Sequence, residues 1–249
     1  MALIKFCCIF ELCTLIKNTK KGKQFKMCGR FALYSDPFAL ARRFEADAPP
    51  ELHPRYNIAP TQNIPIVREE GEKRRFALVR WGLVPHWAKD VKIGYSMINA
   101  RAETVASKPA FRNAFRYRRC LITADGFYEW QVIPGSKTKQ PWFIVLGNQE
   151  PMAFAGLWEQ WRSPEGEELE SCSIIVTDAN ELIKPIHDRM PVILAPDDWN
   201  AWLETDAKNV QALQNLLKPY SAEDMAAWPV STTVNSPRND TAECINMLS

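Results

Sequence analysis

The chain has 249 residues, 46% of them hydrophobic and 24% charged, with 31 basic and 29 acidic side chains giving a formal charge of +2. That composition fits a packed core rather than disorder, and a balance so near neutral leaves any nucleic-acid binding to local clusters. Seven cysteines with no C-x-x-C pair, beside only His53, His86 and His187, argue against a disulfide scaffold and a structural zinc site; a reduced, cytoplasmic protein is expected.

Residues 1–26 carry an apolar run, FCCIFELCTLI, followed by KNTKKGKQFK. Glu11 interrupts the run and lysines stand where a signal peptide needs small residues. The run is also too short to span a bilayer. This extension is therefore expected to lie outside the mature protein, with Met27 as the true start and one domain over 27–249.

Asp36-Pro37 reads as an N-cap with proline at the first helical position, and Phe38, Ala41 and Phe44 give that short helix an apolar face. Apolar, β-rich stretches at 75–84, 120–124, 127–132, 142–146, 152–158 and 172–177 predict strands, with a turn at 135–139. Thr177-Asp178 is expected to cap a short helix through Ile183, and Asp197-Asp198 to cap DDWNAWLE. Lys208–Leu217 carries Val210, Leu213, Leu216 and Leu217 at helical spacing. Strands in a row with helices inserted predict an α+β fold, a single domain with a curved, mostly antiparallel, barrel-like sheet flanked by helices. The chain has no G-x-G-x-x-G, P-loop or G-x-S-x-G, which removes the common nucleotide-binding enzymes and the α/β-hydrolases.

Eight segments stand apart from ordinary core or loop sequence: MCGRF (27–31), YNIAPT (56–61), RWGLVPHW (80–87), INARAET (98–104), ADGFYEW (124–130), FAGLW (154–158), IHDRMP (186–191) and VNSPRND (234–240). In this order they resemble the SRAP (SOS response-associated peptidase) family, whose members sense abasic sites in single-stranded DNA. The resemblance runs from Met27 to about Asp240. It implies covalent capture of the lesion through Cys28, made N-terminal by removal of Met27.

The residue chemistry agrees. An abasic deoxyribose is partly a ring-opened aldehyde, and a cysteine with a free amine is a 1,2-aminothiol, which turns an aldehyde into a thiazolidine. An α-amine titrates near ~7.7–8.0 and is partly nucleophilic at neutral pH. A thiol near ~8.5 needs only modest help. On position alone Cys28 would read as a small buried core residue. Glu129, between Tyr128 and Trp130, is either a desolvated proton carrier or an outward-facing strand residue; the resemblance assigns it to proton relay. His187 could protonate the sugar ring oxygen, and the resemblance places it in the site. Asn99 and Arg101 are either a turn residue and a surface partner of Glu103 or, as the resemblance implies, holders of the Cys28 amine and of a phosphate. Arg30 is a second phosphate candidate.

A DNA track is expected between Arg101 and Arg119, where six basic residues meet one acid, Glu103. Phe111, Phe115 and Tyr117 interleave with them, and Arg112 and Arg116 share a helical face. Basic residues among aromatics suit sequence-independent binding of single strands. Trp87 and Trp130 are candidates for stacking beside the lesion, while Trp81, Trp158, Trp161, Trp199 and Trp202 are assigned to the core. The expected partner is single-stranded DNA containing abasic sites, with no metal, organic cofactor or membrane, and a monomer is expected. Two alternatives stay open: a cysteine peptidase that removes its own extension through Cys28, His187 and Glu129 or Asn99, and a non-catalytic single-strand binding module.

Overall fold

The structure, a computed structural model, describes residues 28–47, 51–204 and 209–248. The expectations for residues 1–26 and for a helix start at Lys208 lie outside these described residues. In chain order the elements are β1 (Phe31–Leu33), α1 (Pro37–Phe44), β2 (Arg55–Ile58), β3 (Asn63–Glu70), β4 (Lys73–Trp81), β5 (Asn99–Arg101) and α2 (Arg112–Tyr117). They continue with β6 (Arg119–Ala124), β7 (Gly126–Val132), β8 (Lys139–Leu146), β9 (Met152–Arg162) and β10 (Glu168–Asp178). Last come β11 (Arg189–Pro191), β12 (Ile193–Leu194), α3 (Trp199–Leu203), α4 (Val210–Asn215) and β13 (Met225–Pro229).

Five strands close a ring. β10 pairs β4 in parallel, and β4–β3, β3–β6, β6–β9 and β9–β10 are antiparallel. Closure of this kind leaves no free edge on the ring strands, since each has a partner on both sides. A second, wholly antiparallel sheet runs β13–β8–β7–β1–β2. Its inner face packs on the barrel: the Phe31 ring lies 5.3 Å from Trp81 and 6.1 Å from Phe154, and Phe127 lies 5.9 Å from Phe154. Burial of each such ring contributes about 1.5–3 kcal/mol. On its outer face Ala32, Tyr128, Phe143 and Val145 pack with Val230, Val234 and Cys244 of the C-terminal segment. The fold is thus the expected α+β single domain with a curved, mostly antiparallel sheet.

Local signals decide the helices. Asp36 accepts hydrogen bonds from the amides of Phe38 and Ala39, Pro37 opens α1, and Arg42 and Arg43 sit in its last turn, where the helix dipole favours cations. The buried face is Leu40 and Phe44, four residues apart, so Phe38 falls on the opposite side and is exposed. The expected helix after Thr177-Asp178 does not form. β10 runs through Asp178, and Asn180 turns the chain instead, its side-chain oxygen accepting from the Ile183 amide. Asp198 makes no capping bond to α3, and α4 is capped by Asn209. β4 stops at Trp81 rather than at 84, where Gly82 takes a φ of 129° and approaches Gly94 so closely that a Cβ would lie 2.7 Å from its carbonyl oxygen.

Candidate active site

The Cys28 nitrogen donates to Glu129 Oε1 at 2.9 Å. Glu129 reaches it because β7 alternates. Phe127 and Glu129 share the face that turns toward the barrel, so the carboxylate is buried rather than outward, and is only 2% exposed. Burial raises the Glu129 carboxyl above its ordinary value, opposed by the charge of His187 and by hydrogen bonds from Cys28. Burial, and then the Glu129 carboxylate, push the Cys28 thiol well above its usual range. Burial thus pushes both the thiol and the carboxyl toward their neutral forms. Cys28 itself has a φ of 41°, in the left-handed region.

His187 arrives on the turn after β10. Gln131, two positions beyond Glu129 and on its face, ties that turn to β7 by donating to the Pro185 carbonyl at 3.1 Å, and it accepts from Trp142 Nε1 at 3.0 Å. His187 Nδ1 lies 3.1 Å from the Arg189 amide, which donates to it. Asp188 Oδ1 also lies 3.1 Å from Nδ1, because the segment turns at this point instead of extending. Arg189 joins the group, its charge opposing the rise of the Cys28 thiol. It is held by Glu103 and, at 3.3 Å, by Asp178. Glu103 thus pairs with Arg189 and not with Arg101. Arg189 sits in the same IHDRMP segment as His187, and nothing local in the sequence distinguishes it from a surface arginine.

Asn99 and Arg101 begin and end β5, which pairs β10 in parallel through Ile174 and Val176. Arg101 is exposed beside Glu103, which its charge helps to keep ionised. Arg30 and Trp130 lie on the opposite face of the second sheet from Glu129. The Arg30 guanidinium stands 5.7 Å over the Trp130 ring and donates to Asn57 Oδ1 and the Val234 carbonyl, both at 2.7 Å. Trp130 is therefore behind the carboxylate rather than beside it.

The basic run divides. Arg112 and Arg116 are exposed on α2 and Tyr117 is exposed with them, but Phe111 and Phe115 are buried. Arg119 is buried too and donates to the carbonyls of Phe115, Arg116, Trp202 and Glu204. Arg118 pairs with buried Glu159 at 2.7 Å, whose other oxygen lies 3.6 Å from His86. Glu159 so links the end of α2 to the turn that carries Trp87, which is half-exposed. Trp81, Trp161, Trp199 and Trp202 are buried, and Trp158 is covered by the Arg68 guanidinium at 4.1 Å. Among the described residues no cluster of His, Cys, Asp and Glu could hold a metal ion, and no helix is long and apolar enough to cross a membrane.

Residues 27–237 match the family model for SOS response associated peptidase (SRAP). Abasic site processing protein YoqW of Bacillus subtilis is 49% identical over 222 residues, covering 88% of this chain and 99% of that protein. Abasic site processing protein HMCES of Rattus norvegicus is 32% identical over 234 residues, covering 79% of this chain and 66% of its own length. A crystal structure of a Bacteroides thetaiotaomicron protein superposes with a TM-score of 0.81 at 26% identity, covering 89% of this chain and all of that one. Fold, motif order and similarity agree, and the chain belongs to the SRAP family.

Proposed function

We propose that this protein processes abasic sites in single-stranded DNA by trapping them on Cys28 as a thiazolidine. The observation that supports this most directly is Glu129 Oε1 at 2.9 Å from the Cys28 nitrogen. With Cys28 N-terminal, that nitrogen is an amine, and it adds to the C1′ aldehyde of the opened sugar. Glu129 takes the amine proton and returns it to the hydroxyl that leaves as water, giving an imine. The Cys28 sulfur then adds to the imine carbon while its proton passes to nitrogen, closing the ring with one water lost overall. His187 protonates the sugar ring oxygen during opening. Arg101 and the exposed Arg112, Arg116 and Trp87 hold the strand, and Asn99 keeps amine and sugar in register. The imine also permits β-elimination at the 3′ phosphate, a strand-breaking side reaction that ring closure suppresses.

In this reading residues 1–26 and Met27 are absent from the active form. The same contact supports a second activity, hydrolysis of the chain's own 27–28 peptide bond, in which water adds to the Met27 carbonyl carbon and Glu129 protonates the nitrogen that leaves, freeing a carboxyl on Met27 and the amine of Cys28. The deciding experiment is intact mass of a chain beginning at Met27, before and after incubation with an abasic single-stranded oligonucleotide. A protein that starts at Cys28 and forms a heat-stable adduct, lost in Cys28→Ala, is expected. Binding without any adduct would leave only a non-catalytic DNA-binding module.

A further inference from the structure

The outer face of the second sheet is stitched to residues 234–240 by an unusually complete set of polar contacts. Asn57, fully buried, donates its amide to the carbonyls of Val234, Ser236 and Asn239 at 3.2, 3.0 and 2.6 Å. Its oxygen receives Arg30, which also reaches the Val234 carbonyl. Asp240 closes the far end, accepting the amides of Tyr56 and Asn57 at 2.5 and 2.8 Å. Asn235 Oδ1 accepts from Trp130 Nε1 at 2.7 Å. The two residues gripped from behind, Arg30 and Trp130, are two positions from Cys28 and one from Glu129.

We infer that this segment is a backing strap for the active site, in which Asn57 and Asn235 act as positioning residues that fix Arg30 and Trp130 and so hold Cys28 against Glu129. The inference rests on the reading of Cys28 and Glu129 as the reacting pair. Neither asparagine touches that pair. The effect passes through the backbones of β1 and β7, which already meet in the hydrogen bond from the Tyr128 amide to the Arg30 carbonyl, 3.0 Å long. A strap of this kind sets alignment, and alignment errors of an ångström are costly in catalysis.

Asn235 is the residue to vary, because Asn57 is central enough that its loss could unfold the domain. Asn235→Leu removes the acceptor at similar size, and Asn235→Asp keeps one. The readout is alkylation of each of the four cysteines by iodoacetamide in the chain beginning at Met27, followed by peptide mass spectrometry, with capture of an abasic single-stranded oligonucleotide measured alongside. Misalignment loosens the burial of Cys28 and moves the Glu129 carboxylate off its thiol, so in Asn235→Leu the Cys28 rate rises threefold or more and DNA capture slows. Cys120, Cys172 and Cys244 stay protected, Asn235→Asp behaves as the parent, and Trp130→Phe reproduces the effect without adding to Asn235→Leu. An unchanged Cys28 rate, or a common rise at all four cysteines, overturns the strap. A parent protein that never captures DNA overturns the proposed function instead, and alkylation still decides the strap.

Discussion

Cys28 and Glu129 stand 101 residues apart in sequence, yet the nitrogen of one is hydrogen-bonded to the carboxylate of the other, and both are buried. Glu129→Gln keeps an oxygen for that hydrogen bond while removing the exchangeable proton. Because burial raises the folded carboxyl pKa, its contribution to stability is full below the unfolded value of about 4.3 and is lost as pH rises through the folded value. Glu129→Gln should escape that loss. Melting curves from pH 4 to 8 are expected to show a variant that gains on the parent as pH rises, by about 2–4 °C for each kcal/mol. DNA capture should fall by about 10²-fold or more. Parallel melting curves would remove the buried-charge argument.

Cys28→Ser keeps the amine and removes the sulfur. The expected product with an abasic oligonucleotide is an imine that borohydride fixes and heating reverses, with more strand cleavage than the parent gives. Gel analysis with and without reductant reads both. A heat-stable adduct in Cys28→Ser would mean that the sulfur does not close the ring.

Salt dependence should locate the strand. Each phosphate contact on single-stranded DNA contributes about 0.7 to the slope of log affinity against log salt. Arg112→Ala with Arg116→Ala should flatten that slope by about 1.4 if both exposed arginines of α2 meet phosphates. The same pair of changes should leave the melting temperature nearly unmoved. An unaltered slope would take α2 off the DNA path.

Glu159→Gln should separate the two halves of the surface it joins. Arg118 loses its charged partner, at a cost of about 1–3 kcal/mol, and the turn bearing Trp87 loses its link through His86. Acrylamide quenching compared with a Trp87→Phe background is expected to show Trp87 more accessible in the variant. No change there would confine Glu159 to stability.

Local sequence revealed the parts of the fold that local physics decides. Asp36-Pro37 opens α1 because both act within one turn, and the six apolar stretches became strands. The barrel-like sheet was expected, but the pairing that closes it was not legible, since the parallel pairing of β4 with β10 joins Trp81 to Cys172 across a separation no local pattern encodes. The six residues of α2 are too few to fix a helical face, so Phe115 counted toward the DNA track yet turns inward, and Arg119 already belongs to β6 and is buried there. For the site, motif identity pointed to Cys28, Glu129 and His187. The reason Glu129 is buried, and the part played by Gln131 in bringing His187 to it, needed the three-dimensional arrangement.

The φ of 41° at Cys28 gives the proposed maturation a direction. For a residue with a side chain the left-handed region costs about 1–2 kcal/mol. That torsion is defined by the carbonyl carbon of the preceding residue, and a terminal amine has none. Cutting the chain ahead of Cys28 therefore releases the strain outright, while rejoining it would have to restore it. In the proposed maturation the folded domain would so act as a mild ratchet toward the form whose amine is free.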